Sequence, residues 1–256
     1  MPNSPVSRRS FLVSSASALA GACALSPFSD PLAKGSPRLS VRPPVTPSTP
    51  ASAGLRPLGL GNALADGVVY APPTYTPSAK APLVLLLHGA GGSASPFITG
   101  FQADADRTNA ILLAVDSRKT TWDGVAGEFG PDIDFLDLAI RDTLARYAVD
   151  TTRISVCGFS AGATMALAVG LANGGLFSRV TAFSAGGLLS KAREGKPRVF
   201  VAHGTYDPVI PVGVSSGTIV PDLRRDGYDV TYREFAGAHV ISGPILSEAM
   251  TWMTAS

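Results

Sequence analysis

Residues 153–169 read RISVCGFSAGATMALAV. The stretch starts as an apolar strand, turns sharply at Gly158-Phe159-Ser160-Ala161-Gly162 and continues as an alanine-rich helix. Glycine on both sides of the serine indicates a turn too tight for a Cβ two residues away in either direction. Such a turn lifts the Ser160 hydroxyl out of the sheet edge and points the Ala161 backbone N–H into the space beside it. We therefore predict a nucleophile elbow with Ser160 as the nucleophile.

Two other serines have surroundings that resemble the elbow only in part. Ser215 lies in Gly213-Val214-Ser215-Ser216-Gly217, which has the same glycine spacing, but prolines lie where a buried strand and a helix are needed. These are Pro208, Pro211 and Pro221. We interpret Ser215 as a polar loop or helix residue. Ser184 lies in a second Phe-Ser-Ala-Gly sequence without the leading glycine, so we expect it to end the next strand.

In the first 25 residues a basic region, an apolar region and a small-residue region follow one another as in an export signal. Arg8-Arg9 precedes a mildly apolar, Ala/Ser-rich stretch from Val13 to Leu25, which is too short and too polar for a membrane-spanning helix. Ala18-Leu19-Ala20 offers a small-residue cleavage site. Paired arginines in this position are the address of the twin-arginine export machinery. We predict that residues 1–25 direct the protein to the periplasm or the cell exterior.

The cysteines leave a lipid anchor open as an alternative. Leu19-Ala20-Gly21-Ala22-Cys23 resembles a lipoprotein cleavage box with its leucine one position too far upstream. Cys157 is the one other cysteine of the chain. We therefore expect no internal disulfide, although the protein is expected to be exported.

Residues 26–57 are dense in proline, serine and threonine and predict an extended linker. The remaining residues, 58–256, are enough for one catalytic domain with a sizeable core, and we expect a monomer. Six of the 21 basic residues but only one of the 19 acidic residues lie at or before Arg56, which leaves a domain net charge of about −3. This balance excludes a basic face for nucleic acid.

Beyond Gly59, short β-like runs alternate with helical patterns, which is typical of an α/β fold with a mostly parallel sheet and helices on both faces. We predict strands at 68–70, 83–87, 111–115, 153–157, 180–183, 199–202 and 229–235. We predict helices at 96–109, 132–147, 163–169, 219–226 and 244–253. An open α/β sheet places its site at the strand ends. The residues that follow the predicted strands are His88, Asp116, Ser160, Ser184, His203, Asp207 and His239.

A serine hydroxyl needs a base to remove its proton, and a carboxylate to hold that base in one tautomer. In the predicted fold these residues follow the nucleophile in the order acid, then base. His88 precedes Ser160, and His203 precedes the nearest strand-end carboxylate, so both are in the wrong order. His239 follows the last strand and precedes the last helix. We assign His239 as the general base, and we expect His203 to support its own loop by hydrogen bonding.

Asp207 is the predicted acid because it lies in a turn directly after a buried strand. Asp222, Asp226 and Asp229 are alternatives by order, but they lie on or beside a polar helix. The oxyanion of the tetrahedral intermediate needs at least two preorganised donors. We assign the N–H groups of Ala161 and Ala90, with Gly91 as the alternative to Ala90. The glycine run at 89–92 lacks the lysine of a phosphate-binding P-loop.

Four sequences together resemble the α/β-hydrolase superfamily, and within it the phospholipase/carboxylesterase and polyhydroxybutyrate-depolymerase-like serine esterases. They are Leu87-His88-Gly89-Ala90-Gly91-Gly92, Gly158-Phe159-Ser160-Ala161-Gly162, His203-Gly204-Thr205-Tyr206-Asp207 and Gly237-Ala238-His239. The resemblance extends from about Leu55 to Trp252. It implies an α/β-hydrolase fold, a triad of Ser160, Asp207 and His239, and oxyanion donors at Ala90 and Ala161. Ala161 departs from the glutamine frequent in carboxylesterases, but only its backbone is needed.

The resemblance also implies a substrate-binding role for Trp122, whose alternative is an aromatic residue that packs at the surface. Only residues 185–197 separate two predicted strands where a helical cap is often inserted, so we expect little or no cap. The sequence thus predicts an exported carboxylic-ester hydrolase that forms an acyl-enzyme, uses no metal or organic cofactor, and acts on short-acyl or polymer-linked esters. A peptidase or amidase with the same triad and a non-catalytic ligand-binding protein of the envelope are the alternatives.

Overall fold

The computed structural model describes residues 33–43, 51–61 and 65–256. Its strands are β1 Gly54–Pro57, β2 Gly67–Ala71, β3 Ala81–Leu87, β4 Ile111–Val115, β5 Val149–Phe159, β6 Arg179–Phe183, β7 Arg198–Gly204 and β8 Val230–Phe235. Its α-helices are α1 Ala94–Thr99, α2 Gln102–Thr108, α3 Pro131–Arg146, α4 Ala161–Ala172, α5 Ser216–Arg225 and α6 Gly243–Thr254. A 3-10 turn at Val212–Val214 precedes α5.

The described strands form one sheet in the order β1-β2-β4-β3-β5-β6-β7-β8. The β1–β2 and β2–β4 pairs are antiparallel, and every pair from β4 to β8 is parallel. Every residue of β3 and of β4 is buried, as expected for parallel strands covered by helices on both faces. The predicted parallel α/β sheet is confirmed.

Helices cover the two faces of the sheet in equal numbers. Side chains of α3, α4 and α5 pack in one apolar core, and side chains of α1, α2 and α6 pack in a second core on the opposite face. Residues 185–197, between β6 and β7, contain no helix or strand. The predicted absence of a helical cap at this position is therefore confirmed.

The predicted linker at 26–57 is wrong for the part that the structure describes. Residues 33–43, which we call the N-terminal strap, pack against the domain and bury Leu39 and Val41 in its core. The carboxylate of Asp137 in α3 accepts the N–H groups of Ser40 and Val41 at 2.6 Å, and Asn173 accepts the N–H of Leu39 at 2.9 Å. The composition rule failed because two buried side chains and satisfied amides are enough to order this short segment.

The strap is hydrogen-bonded to two loops, the one after β6 and the one after β4. The N–H of Ala33 donates to the carbonyl of Leu189 at 2.9 Å, and the N–H of Lys34 donates to the carbonyl of Gly127 at 2.8 Å. Strand β1 also lies inside the predicted linker, so the folded domain starts before residue 58. The predicted signal at 1–25, including Arg8, Arg9 and Cys23, lies outside the described residues.

Candidate active site

Ser160 occupies the turn between β5 and α4. Its backbone has φ 55° and ψ −120°, a left-handed conformation that is costly for a residue with a side chain. The Ser160 N–H donates to the carbonyl of Phe183 in the adjacent strand at 2.9 Å, which holds the turn in place. Strand, strained serine and helix form the nucleophile elbow that the sequence predicts.

The two glycines of the elbow are required by close backbone approaches. A Cβ on Gly158 would collide with the backbone of Gly162, and a Cβ on Gly162 would collide with the carbonyl oxygens of Leu87 and His88. The second approach brings the start of α4 against the loop after β3. The nucleophile and the predicted oxyanion loop are therefore packed backbone to backbone.

The structure brings Asp207 and His239 together from different loops. Asp207 follows β7, His239 follows β8, and His239 Nδ1 lies 2.7 Å from Asp207 Oδ2. An ionised carboxylate only accepts hydrogen bonds, so Nδ1 carries the proton and Nε2 keeps its lone pair. The Asp207 side chain is fully buried, whereas that of His239 is 15% exposed. The buried carboxylate thus orients the imidazole through Nδ1, while part of the His239 ring stays exposed.

His239 also lies beside the elbow. Its ring centroid is 4.8 Å from that of Phe159, the residue before the nucleophile. Among the described residues, no hydrogen bond joins Ser160 Oγ to His239. Catalytic hydrogen bonds are often loose in ligand-free enzymes and tighten in the complex with substrate, so this geometry is compatible with proton transfer. The three residues that the sequence selects meet at one edge of the sheet.

The second oxygen of Asp207 is held by its own loop. Oδ1 accepts the N–H of Val209 at 2.9 Å and the N–H of Ile210 at 2.8 Å. Burial opposes ionisation of this carboxyl, but the hydrogen bonds from Ile210, His239 and Val209 outweigh it and lower the pKa of Asp207. The acid therefore stays ionised and fixed in orientation at neutral pH.

His203 lies behind the acid and is fully buried. Its Nε2 lies 2.8 Å from the carbonyl oxygen of Ile210 and 3.2 Å from Asp207 Oδ2. Both neighbours are acceptors, so Nε2 carries the proton, and Nδ1 accepts from the Ser216 hydroxyl at 2.7 Å. The expected supporting role of His203 is visible in these contacts, and they also place a second imidazole against the acid.

A backbone N–H can serve as an oxyanion donor only if it does not already donate a hydrogen bond within the protein. The N–H of Gly91 donates to the carbonyl of Thr120 at 2.7 Å and is not available, so the alternative at Gly91 is wrong. Within the described ranges, the amides of Ala90 and Ala161 donate no hydrogen bond. Ala161 is the first residue of α4, where the helix dipole favours negative charge. Ala90 and Ala161 remain the candidate donors.

His88 fixes the loop that carries Ala90. Its Nε2 accepts the N–H of Ser117 at 3.1 Å, so Nδ1 carries the proton and donates to the carbonyl of Gly89 at 2.7 Å. Burial lowers the pKa of His88 and outweighs the opposing effects of the Gly89 carbonyl and the Asp116 carboxylate. The neutral ring thus holds the Gly89–Ala90 peptide by its oxygen, and the Ala90 N–H lies on the other side of that peptide.

Trp122 is fully buried, so the predicted contact with substrate is wrong. Its Nε1–H donates to the carbonyl of His88 at 2.8 Å, and its ring packs on the His88 ring with centroids 5.0 Å apart. The carboxylate of Asp132 holds the Trp122 loop by accepting the N–H groups of Arg118 and Asp123, each at 2.6 Å. The sequence marked this tryptophan but gave no sign of its partner, because the contact joins residues 34 positions apart.

The competing residues lie in other settings. Ser215 is fully buried and its hydroxyl donates to the carbonyl of Ala185, and Ser184 is buried with no hydrogen-bond partner for its hydroxyl among the described residues. Asp222 pairs with Arg225 at 2.8 Å, and Asp229 pairs with Arg198 at 2.7 Å, both on the surface. Asp207 is thus the acid that the fold presents to His239.

Within the described ranges, no group of three or more His, Cys, Asp or Glu side chains is placed to hold a metal ion. The same residues include no helix with the length and apolar character that crossing a membrane requires. Cys157 is buried and free.

Comparisons with known proteins find similarity to esterases. The family model described as phospholipase/carboxylesterase matches residues 134–255, which contain Ser160, Asp207 and His239. The structure is similar to that of esterase PE8, with 25% identity and a TM-score of 0.61, over 74% of this chain and 97% of that one. A search among curated proteins found no match.

Two further structures show the same fold at lower identity. A thermostable esterase has 22% identity and a TM-score of 0.59, over 74% of this chain and 58% of that one. The Bacillus cereus carboxylesterase has 20% identity and a TM-score of 0.57, over 75% of this chain and 94% of that one.

Proposed function

We propose that the chain is an esterase of the α/β-hydrolase superfamily, as its similarity to the phospholipase/carboxylesterase family model and to esterase PE8 suggests, and that it cleaves carboxylic esters through an acyl-enzyme formed on Ser160. The observation that carries the proposal is the 2.7 Å hydrogen bond between His239 and the buried Asp207, at the sheet edge where Ser160 occupies a strained elbow. Nucleophile, base and acid are in the order and the setting that this chemistry needs.

In the first half of the reaction, His239 Nε2 takes the proton of Ser160 Oγ as that oxygen bonds to the ester carbonyl carbon. Negative charge develops on the carbonyl oxygen, which lies within reach of the N–H groups of Ala90 and Ala161. Each such donor is typically worth ~3 to 4 kcal/mol of barrier. When the bond to the alkoxy oxygen breaks, His239 returns the proton to the leaving alcohol, and the acyl group stays on Ser160.

In the second half, water replaces the alcohol. His239 Nε2 takes a proton from the water as its oxygen bonds to the acyl carbon, and the same two amides hold the oxyanion. The bond to Ser160 Oγ then breaks, His239 returns the proton to the serine, and the carboxylic acid leaves. Asp207 stays ionised throughout, because three hydrogen bonds lower its pKa.

The shape of the site supports short acyl groups and bulky or polymeric alcohol portions. The segment at 185–197 forms no helix that could cover Ser160, and we expect that an acyl chain finds no deep tunnel there. Each methylene buried adds ~0.8 kcal/mol, and a shallow site gains this for only a few carbons. We expect the size of the alcohol portion to be less restricted than that of the acyl group.

A panel of chromogenic esters of graded acyl length, beside a peptide amide, tests the proposal. We expect the highest kcat/KM on short esters, no jump in rate above the solubility limit of a long-chain ester, and no peptide cleavage. Ser160→Ala should abolish hydrolysis, whereas Ser184→Ala, the matched Phe-Ser-Ala-Gly serine, should keep most of it. A dead Ser184→Ala with an active Ser160→Ala, or an optimum at long chains, would contradict the proposal.

Export by the twin-arginine route is part of the same proposal and rests on the sequence of the first 25 residues. Changing Arg8 and Arg9 to lysine should leave the precursor in the cytoplasm, as measured by fractionation and immunoblotting. Normal secretion of that variant would refute the route. Labelling by a radioactive fatty acid that is lost in Cys23→Ser would show instead that the mature protein is lipid-anchored.

A further inference from the structure

Arg179, the first residue of β6, is a buried cation without a partner. It is 7% exposed and is the only buried arginine in the described ranges. Its guanidinium donates no hydrogen bond and pairs with no carboxylate there. Every other arginine that the structure describes donates from its guanidinium to at least one oxygen. Buried charges in proteins are paired, so this exception needs an explanation.

Two further arginines lie near Arg179. Arg198, the first residue of β7, is directly opposite it across the β6–β7 pair, and Arg153 is on the neighbouring strand β5. All three are close to the end of α6. The guanidinium carbons of Arg179 and Arg198 are 5.8 and 5.7 Å from the centre of the Trp252 ring. Arg153 donates to the carbonyl of Thr254 at 3.3 Å. The three guanidinium groups thus form one cluster.

Carboxylates neutralise the two neighbours but not Arg179. Asp150 lies 2.7 Å from Arg153 Nε, and Asp229 lies 2.7 Å from Arg198 Nε. Burial lowers the pKa of Arg179 most, and the positive charges of Arg198 and Arg153 lower it further. The cluster therefore keeps one uncompensated positive charge, on the most buried of its three arginines.

The unpartnered donors of Arg179 are partly open to solvent. Its Nε–H is fully buried, whereas its two Nη groups, which also make no hydrogen bond in the described residues, are not. Thr181, two residues along β6 and on the same face of that strand, is fully buried, and its hydroxyl has no partner either within the described ranges. Unsatisfied donors on neighbouring side chains are expected where an acceptor from outside the chain binds.

We propose that Arg179 binds a small organic carboxylate from solution. The fork of N–H groups on a guanidinium matches the two oxygens of a carboxylate. A monoanion also matches the single uncompensated charge of the cluster, whereas a phosphate dianion would leave a negative charge without a cation. Because β5 and β6 are parallel, Arg179 at the start of β6 lies at the edge of the sheet opposite Ser160, which follows the end of β5. The carboxylate therefore does not compete with the ester.

Urea unfolding in the presence of sodium acetate tests the inference, because a ligand that binds only the folded protein stabilises it increasingly as its concentration rises. Sodium chloride at equal ionic strength is the reference for screening of charges. We expect the midpoint of the wild type to rise with acetate and not with chloride. An equal rise with both salts would overturn the inference. A larger rise with inorganic phosphate would overturn the assignment to a carboxylate.

Arg179→Met removes the guanidinium and keeps an unbranched side chain. We expect it to bind acetate about tenfold more weakly, as loss of charge-assisted hydrogen bonds implies, so its midpoint should change little with acetate. The matched control, Arg225→Met, removes an exposed arginine that pairs with Asp222 on α5 and should respond as the wild type does. Salts excluded from protein surfaces stabilise all variants alike, so the difference between the two variants reports the site. Equal responses of the two would refute it.

The Nε–H resonance of Arg179 gives a direct measurement on the wild type that does not depend on how stable a variant is. In nitrogen-labelled protein followed by NMR, acetate should shift one arginine Nε signal saturably. That signal should be missing from the spectrum of Arg179→Lys, which keeps the charge but loses the fork. If no Nε signal shifts, or if the shifting signal persists in Arg179→Lys, Arg179 does not bind the carboxylate and the inference fails.

Discussion

At the scale of single residues, the Asp207 carboxylate decides the tautomer of the base. Replacing Asp207 by asparagine offers His239 Nδ1 an amide in place of a full acceptor, and the imidazole can turn its proton towards the serine. We expect kcat on a soluble ester to fall by about 10⁴-fold. Circular dichroism should show a folded protein, and Asp222→Asn, at an exposed aspartate, should keep full activity. An active Asp207→Asn enzyme would move the acid to Asp222, Asp226 or Asp229.

His88 makes the stability of the fold depend on pH. Because burial lowers its pKa in the folded protein below the ordinary 6.5, the unfolded chain takes up the proton first as the pH falls. The contribution is present above pH 6.5 and is lost as the pH falls towards the folded pKa. We expect urea unfolding to show a drop in stability from about pH 7.5 to about pH 5.5 that is smaller in His88→Gln.

The difference in pH dependence between the wild type and His88→Gln reports on His88 alone, because Asp132, Asp137 and Asp207 are present in both proteins. Equal drops in wild type and His88→Gln would mean that the ring is protonated in the fold as readily as in the unfolded chain. The orientation assigned to the Gly89–Ala90 peptide would then lose its support.

At the scale of elements, the loop after β3 is held from behind by the loop after β4. The bond from Trp122 Nε1 to the His88 carbonyl crosses between them. Trp122→Phe keeps most of the ring but removes the donor, and the oxyanion amide acts mainly in the transition state. We expect kcat to fall about tenfold with little change in KM, since a poorly placed donor loses part of its ~3 to 4 kcal/mol.

The second tryptophan provides the matched control for this change. The indole N–H of Trp252 is buried without a hydrogen-bond partner among the described residues. Trp252→Phe should therefore leave kcat unchanged. A Trp122→Phe enzyme with wild-type kcat, or one whose KM alone rises, would show that the tryptophan packs the core and does not position the loop.

Local sequence predicted the elements that carry the site because each has a strong local signature. The buried strands are apolar runs, and the elbow needs its two glycines. It predicted one helix at 96–109, where the structure has α1 and α2 separated at Gly100-Phe101. It missed β1, an edge strand whose residues are half-buried or exposed and which ends in Pro57, because such a strand lacks an apolar pattern.

Contacts between segments distant in the chain could not be predicted from the sequence. Asp207 and His239 could be selected by chain order, since the fold fixes that order. The burial of Trp122 and the engagement of the Gly91 amide by Thr120 depend on how two loops meet, and no local pattern records this. Composition likewise predicted a linker where the strap packs against the domain and buries Leu39 and Val41.

At the scale of the whole molecule, the N-terminal strap is part of the folded domain. A chain that starts at residue 58 lacks the strap and β1, whereas one that starts at residue 33 keeps both. Burial of Leu39 and Val41 alone implies that the shorter chain loses at least ~3 kcal/mol of stability, read as a lower midpoint in urea.

Point variants separate the strap from β1. Leu39→Ala in the longer chain should cost ~2 to 5 kcal/mol. Leu138→Ala, at a leucine that is 44% exposed, should cost much less. Equal stability of the chains from 33 and from 58 would contradict the packing of the strap.

The central claim, covalent catalysis by Ser160, is tested most directly by trapping the acyl-enzyme. The wild type is mixed with a chromogenic ester, quenched in acid within the first turnovers, and analysed by intact mass and peptide mapping. The account predicts a mass increase equal to one acyl group, located on the peptide that contains Ser160, and no increase in Ser160→Ala. An acyl group on any other residue, or steady hydrolysis by the Ser160→Ala enzyme, would contradict it.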